Sequence, residues 1–194
     1  MPLKEARFVV LDTETTGFNI TSDRILSIGA VGVRQYNVQS ADVFEVSIQQ
    51  QFQKNDSIAI HEITPGIAAR ATPAAQVFKD FITFIGGDVI IGHYVDFDYQ
   101  MLSAACKRHL GVGLYNKKYD TMQLLKRTEN HFAFTNLHQP EELQLDHVCE
   151  RFSIPLPDRH TAMGDALATA LLFMRQLKKL EKRGAKTVGD LLKR

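Results

Sequence analysis

The amino-acid sequence predicts an α/β fold, a mixed β-sheet flanked by helices. Three observations predict it. Three β-rich runs fall within the first 50 residues, helical periodicity takes over after Thr72, and a further short strand sits between helical stretches. The first run, 8–11, is apolar and ends at Asp12; 25–33 and 43–48 also read as strands. Thr72 is placed to cap a helix with Pro73 at its first position, and Val77, Phe78, Phe81, Ile82 and Ile85 form one apolar face. A strand over 88–91 follows, then a helix carrying Met101, Leu102, Ala105 and Cys106. Strand-like 114–119 precedes a short helix from Asp120 and a polar loop to Pro140. Helices resume at 141–152 and 161–182, the last with Ala166, Ala170, Phe173, Leu177 and Leu180 at helical spacing.

No repeat, low-complexity tract or Gly/Ser linker divides the 194 residues. We therefore expect one domain over 1–182, with 183–194 a basic C-terminal tail or short helix. Lys178, Lys179, Lys182, Arg183, Lys186, Lys193 and Arg194 read as a solvated helix end, with cations at the negative pole of the dipole. A nucleic-acid-binding tail is the alternative.

Hydrophobic residues make up 44% and charged residues 23%, a composition for a soluble globular protein. The net charge of +1, from 23 Lys and Arg against 22 Asp and Glu, argues against binding nucleic acid mainly by long-range attraction. Such contact has to be local, at a metal site or a small patch. Cys106 and Cys149 lie far apart without metal-ligand spacing and read as small buried hydrophobes in a reducing compartment. Residues 1–7 lead straight into a strand, which is not the pattern of a secretory signal. No apolar run approaches the roughly 20 residues that span a bilayer. A cytoplasmic location, away from the membrane, is expected.

Three segments carry candidate chemistry. In Asp12-Thr13-Glu14-Thr15-Thr16-Gly17, residues two apart on a strand point the same way, so Asp12 and Glu14 project together from its end. Adjacent carboxylates repel unless a cation lies between them, and a hard divalent cation prefers such oxygen ligands. The second segment, 92–98, places Asp98 where a helix opens, with Asp96 a rival for the same role. The third, 160–165, places Asp165 on an Ala-rich helix face, where burial without a partner is costly, and His160 in the preceding loop or first turn. Each segment sets an acid at a strand end or helix start, where side chains of an α/β sheet converge on a cleft. Asp12, Glu14, Asp98 and Asp165 together suit two metal ions, and His160 suits proton removal near neutral pH.

Asp12-Thr-Glu-Thr-Thr-Gly, Phe97-Asp98 and His160-x₄-Asp165 resemble the three motifs of the DEDDh (DnaQ-like) 3′→5′ exonucleases, the family of the epsilon proofreading subunit of bacterial DNA polymerase III. The resemblance runs from residue 12 to residue 165. It implies a ribonuclease H-like fold, two Mg²⁺ or Mn²⁺ ions, and release of 5′-mononucleotides from a free 3′ end of DNA or RNA. By position Asp12, Glu14, Asp98 and Asp165 match the metal ligands and His160 the general base. Thr15, Thr16 and Gly17 match the turn that approaches the terminal nucleotide, and Phe97 belongs with the same substrate-binding set. Phe18 is similar to the apolar wedge against the last base, although a core position fits it equally. His61-Glu62-Ile63-Thr64 resembles a segment that holds the 3′ nucleotide, with Glu62 where Gly is usual. Tyr94 stands where Asn usually follows His93.

The expected partner is single-stranded or 3′-terminal DNA or RNA. A polymerase or other protein partner stays open. The chain ends soon after its last catalytic helix, so an exonuclease that stands alone or associates loosely is expected rather than a dedicated replicase subunit. The rival classes are a non-catalytic nucleic-acid or partner-binding module and a small phosphate-ester hydrolase.

Overall fold

The fold was derived from a computed structural model that describes residues 1–48, 72–130, 140–156 and 158–193. His61, Glu62 and Thr64 lie outside the described residues. β1 (Arg7–Thr15), β2 (Ile25–Arg34), β3 (Asn37–Ser47), β4 (Val89–Gly92) and β5 (Lys118–Asp120) form one sheet in the order β3-β2-β1-β4-β5. β1 and β2 pair antiparallel, as do β2 and β3, while β4 runs parallel to both β1 and β5. β1 is therefore central, and the sheet is mixed.

The alternation of β1 sets which layer covers which face. Val9 and Leu11 point into a core shared with α1 (Ala74–Ile85) and α2 (Val95–Leu110). Phe8 and Val10 point the other way, against Ala170, Phe173 and Leu177 of α5 (Ala162–Lys182). Asp12 and Glu14 continue the second series, so both lie on the α5 side of the strand end. α3 (Thr121–Thr128) and α4 (Leu145–Arg151) complete this layer through a third cluster built on Leu125, Val148, Cys149 and Leu172.

Several boundaries differ from the sequence expectation, each for a local reason. α1 starts at Ala74 with Pro73 as N-cap and no side-chain cap. Thr72 does not cap it, because Thr72 bridges Ile48 and donates its N–H to the Ser47 carbonyl at 3.3 Å. The strand expected at 114–119 is only Lys118–Asp120; Leu114 is buried, but its N–H bonds Ser103 Oγ at 3.1 Å instead of a neighbouring strand. The helix expected over 141–152 is broken into a 3₁₀ turn, Pro140–Leu143, and α4, with Gln144 extended between them. The Leu143 carbonyl is taken by His93 Nε2 at 2.6 Å, which uses the acceptor a continuous helix would need.

Past Lys182 the chain turns back. Arg183 bonds the carbonyls of Arg127 and Thr128, and α6 (Val188–Leu192) buries Leu191 beside the N-terminal residues. Both cysteines are buried and free. Among the described residues no helix is long and apolar enough to cross a membrane.

Candidate active site

Three carboxylates meet at the end of β1. Asp12, Glu14 and Asp165 each offer an oxygen, and these oxygens lie within 4.8 Å of one another. Asp165 reaches them because α5 starts almost on top of β2. Gly29, the partner of Asp12 in the β1–β2 register, has no side chain, and a Cβ there would lie 2.3 Å from the Ala162 carbonyl carbon. A glycine inside a strand marks such close backbone approach.

Asp98 comes from the opposite face. It sits in the first turn of α2, is buried, and its Oδ1 accepts from the Thr13 N–H at 3.1 Å and from Thr13 Oγ1 at 2.6 Å. Thr13 points away from Asp12 and Glu14, so β1 delivers two carboxylates on one side and grips a third from the other. The rival Asp96 is exposed and pairs with Lys118 at 2.5 Å.

Crowded, buried acids resist ionisation. Burial, then repulsion from Asp98, Asp165 and Glu14, pushes Asp12 well above the ordinary carboxyl range, with Arg159 pulling it back. Burial and Asp165 push Glu14 up to about 7, again opposed by Arg159. Burial also pushes Asp98 up to about 7, against the Thr13 hydrogen bonds.

Arg159 is the cation of this group. It bonds Asp165 Oδ2 and grips both oxygens of Asp146 on α4. Asp165 Oδ1, by contrast, is buried with no hydrogen-bond partner among the described residues. His160, the next residue, is exposed and left-handed at φ 65°. It lies close enough to Asp146 to help lower that carboxyl, after Arg159. Thr161 then caps α5, its Oγ1 accepting from the Gly164 N–H at 3.0 Å.

The β1–β2 loop is braced from within. Thr15 Oγ1 donates to the Gly17 carbonyl at 2.9 Å, and Thr16 Oγ1 to Asp23 at 3.0 Å. A Cβ on Gly17 would meet Asp23 Oδ2 at 2.6 Å. Phe18 is 88% exposed, so it is not a core residue, and its ring stands 5.7 Å from the half-buried Phe97.

Residues 9–173 match a family described as "Exonuclease". The chain belongs to the DnaQ-like exonuclease family. A relative named DNA polymerase III subunit epsilon-like protein, from Rhodobacter capsulatus, is 33% identical over 195 residues, covering 98% of this chain and 26% of its own. DNA polymerase III PolC-type of Caldanaerobacter subterraneus subsp. tengcongensis is 31% identical over 189 residues, covering 96% of this chain and 13% of its own. The exonuclease domain thus spans about an eighth to a quarter of these relatives. Its fold is that of Escherichia coli exonuclease I in complex with a dA16 oligonucleotide, with a TM-score of 0.75, 17% identity, and 92% of this chain and 42% of that one covered. The zinc-bound complex of the same enzyme with single-stranded DNA gives a TM-score of 0.72, at 18% identity and with the same two coverages. The mixed five-stranded sheet with helices on both faces is accordingly the ribonuclease H-like arrangement that the motifs implied.

The structure adds residues that the motifs did not single out: Thr13 on Asp98, Gly29 under α5, and the Arg159–Asp146 pair beside Asp165. Gly29 carried a signal, a lone glycine in an apolar strand; Arg159 and Asp146 carried none, since charged residues before and on a helix are ordinarily solvated.

Proposed function

We propose that this protein is a metal-dependent 3′→5′ exonuclease that hydrolyses the terminal phosphodiester bond of DNA or RNA and releases 5′-mononucleotides. The observation that carries the reading is the carboxylate group itself. Three acid oxygens within 4.8 Å, one acid with a buried and unpartnered Oδ1, form an oxygen-donor set that a hard divalent cation fits. Asp12, Glu14, Asp98 and Asp165 would hold two ions, Mg²⁺ or Mn²⁺. When bound, the metal supplies charge neutralisation, a more acidic water and stabilisation of the leaving oxygen.

The chain's own groups do the rest. Thr13 holds the Asp98 carboxylate, and Arg159 holds one oxygen of Asp165 while the other is left without a partner among the described residues. His160, on the loop leading into α5, would take the proton of the attacking water. Thr15, Thr16 and Gly17 offer the braced loop beside which the 3′ nucleotide would lie, and Phe18 and Phe97 an aromatic surface for its base. His61 would complete this set. The names of the relatives support a polymerase as a partner, and a cytoplasmic setting goes with that reading. A non-catalytic module has no need of four convergent carboxylates. A small-ester hydrolase has no need of an exposed Phe18.

The test is digestion of 5′-labelled single-stranded DNA and RNA by purified protein, with Mg²⁺ and with excess chelator. A metal-dependent ladder shortening from the 3′ end is expected, abolished by Asp12→Ala together with metal binding. His160→Ala should lower the rate by at least about 100-fold while metal binding is kept. Equal rates for wild type and Asp12→Ala would refute the metal-site assignment.

A further inference from the structure

Tyr94, four residues before Asp98, puts a bulky side chain at a backbone position that suits Asn or Gly better. It joins β4 to α2 in the left-handed region, with φ 60° and ψ 36°, where a bulky side chain is unfavourable. Its side chain gives α2 no cap; the Asp120 carboxylate does that work, accepting from the Val95 N–H at 3.0 Å. Tyr94 is 44% exposed and, among the described residues, belongs to none of the hydrophobic clusters of the core. Asn or Gly would relieve the backbone at this position and leave no apolar surface in water.

The ring does have a fixed neighbour. His93 meets it edge-on, with centroids 5.1 Å apart and planes at 85°. His93 is buried and tied at both nitrogens, Nδ1 to Thr121 Oγ1 at 2.7 Å and Nε2 to the Leu143 carbonyl at 2.6 Å. Because that carbonyl can only accept, Nε2 carries a proton, and burial pushes the imidazole below its ordinary pKa. A strained, exposed aromatic on a rigid backing therefore stands at the C-terminal edge of the sheet. It precedes Phe97 by one helical turn, the Phe97 N–H bonding the Tyr94 carbonyl at 3.2 Å, and Asp98 follows directly.

We infer that the Tyr94 ring stacks on a nucleobase of the bound strand. The inference rests on the nuclease reading above and names a contact separate from the Phe18–Phe97 pair. An aromatic face accepts any base, so Tyr94 contributes affinity without sequence preference. Its cost in backbone strain is kept because the ring is used by the ligand and not by the fold.

The experiment measures melting temperature and steady-state digestion of a 5′-labelled single-stranded DNA decamer with Mg²⁺, for wild type, Tyr94→Asn and Tyr94→Phe. Tyr94→Asn should melt about 3 °C higher, from relief of the left-handed backbone. It should also raise KM about tenfold with kcat within about twofold, the size expected for one lost stacked base. Tyr94→Phe should keep the wild-type KM. With a single abasic position walked inward from the 3′ end, one position should weaken wild type and leave Tyr94→Asn unaffected. An unchanged KM for Tyr94→Asn, an equal rise for Tyr94→Phe, or no such abasic position overturns the stacking role while the nuclease reading stands. A wild type that does not digest the decamer overturns both.

Discussion

Replacing Gly29 by alanine tests how Asp165 is brought to the other carboxylates. Gly29 pairs with Asp12, and α5 begins directly over it. The added methyl would lie 2.3 Å from the Ala162 carbonyl carbon, 2.4 Å from its oxygen and 2.4 Å from Met163 N. All three are backbone atoms, so no side-chain rotation relieves the clash. Ordinary carbon contacts need about 3.5 Å, and the start of α5 must therefore retreat by about 1 Å. Asp165 lies one helical turn beyond Ala162 and moves with it, opening a group whose oxygens now fall within 4.8 Å. Overpacking of this kind costs about 2 kcal/mol, which lowers the melting temperature by about 6 °C in a chain of this size. A displacement of about 1 Å in a catalytic group costs about 100-fold in rate. The assay is thermal melting with and without Mg²⁺, together with the rate of single-strand digestion. Gly87→Ala serves as the control, because a Cβ there meets nothing within 4 Å. Gly29→Ala protein that melts within about 1 °C of wild type and keeps its full response to Mg²⁺ would refute the reasoning.

Three further outcomes are expected. Glu14 and Asp98, both pushed up to about 7, favour the protonated form in the folded chain, so their stabilising effect is full at low pH and is lost as pH rises through about 7. Chelated protein should then melt lower at pH 8 than at pH 5.5, and Mg²⁺ at about 100 times its Kd should add about 2.7 kcal/mol at pH 8 and much less at pH 5.5; equal Mg²⁺ effects at both would contradict this. Arg159→Ala leaves Asp165 without its cation, and since the Arg159 side chain is 26% exposed the metal-free protein should lose about 2 kcal/mol, most of it restored by Mg²⁺ in a melting titration. Asp96→Ala should change stability by less than about 0.5 kcal/mol and leave digestion intact, whereas Asp98→Ala should abolish it; the reverse pattern would make Asp96 the ligand.

Much of this was legible in the chain before folding, because it depends on local periodicity. Strand alternation alone put Asp12 and Glu14 on one side of β1, and helical spacing gave the buried faces of α1 and α5. The order of the motifs identified the family. Element ends were less legible wherever a distant group claimed a backbone atom, as His93 does at Leu143 and Ser47 at Thr72. What only the tertiary structure decided was the meeting of elements far apart in sequence. Asp98 was separated from Asp96 because Thr13, 85 residues away, bonds one of them and Lys118 the other. Arg159 joined the site because α4 and the N-terminus of α5 present Asp146 and Asp165 to the same guanidinium. Gly29 acquired its role because the sheet order places β2 under α5. Charge pairing and close backbone approach act between residues that become neighbours only when the chain packs, and no spacing along the sequence encodes them.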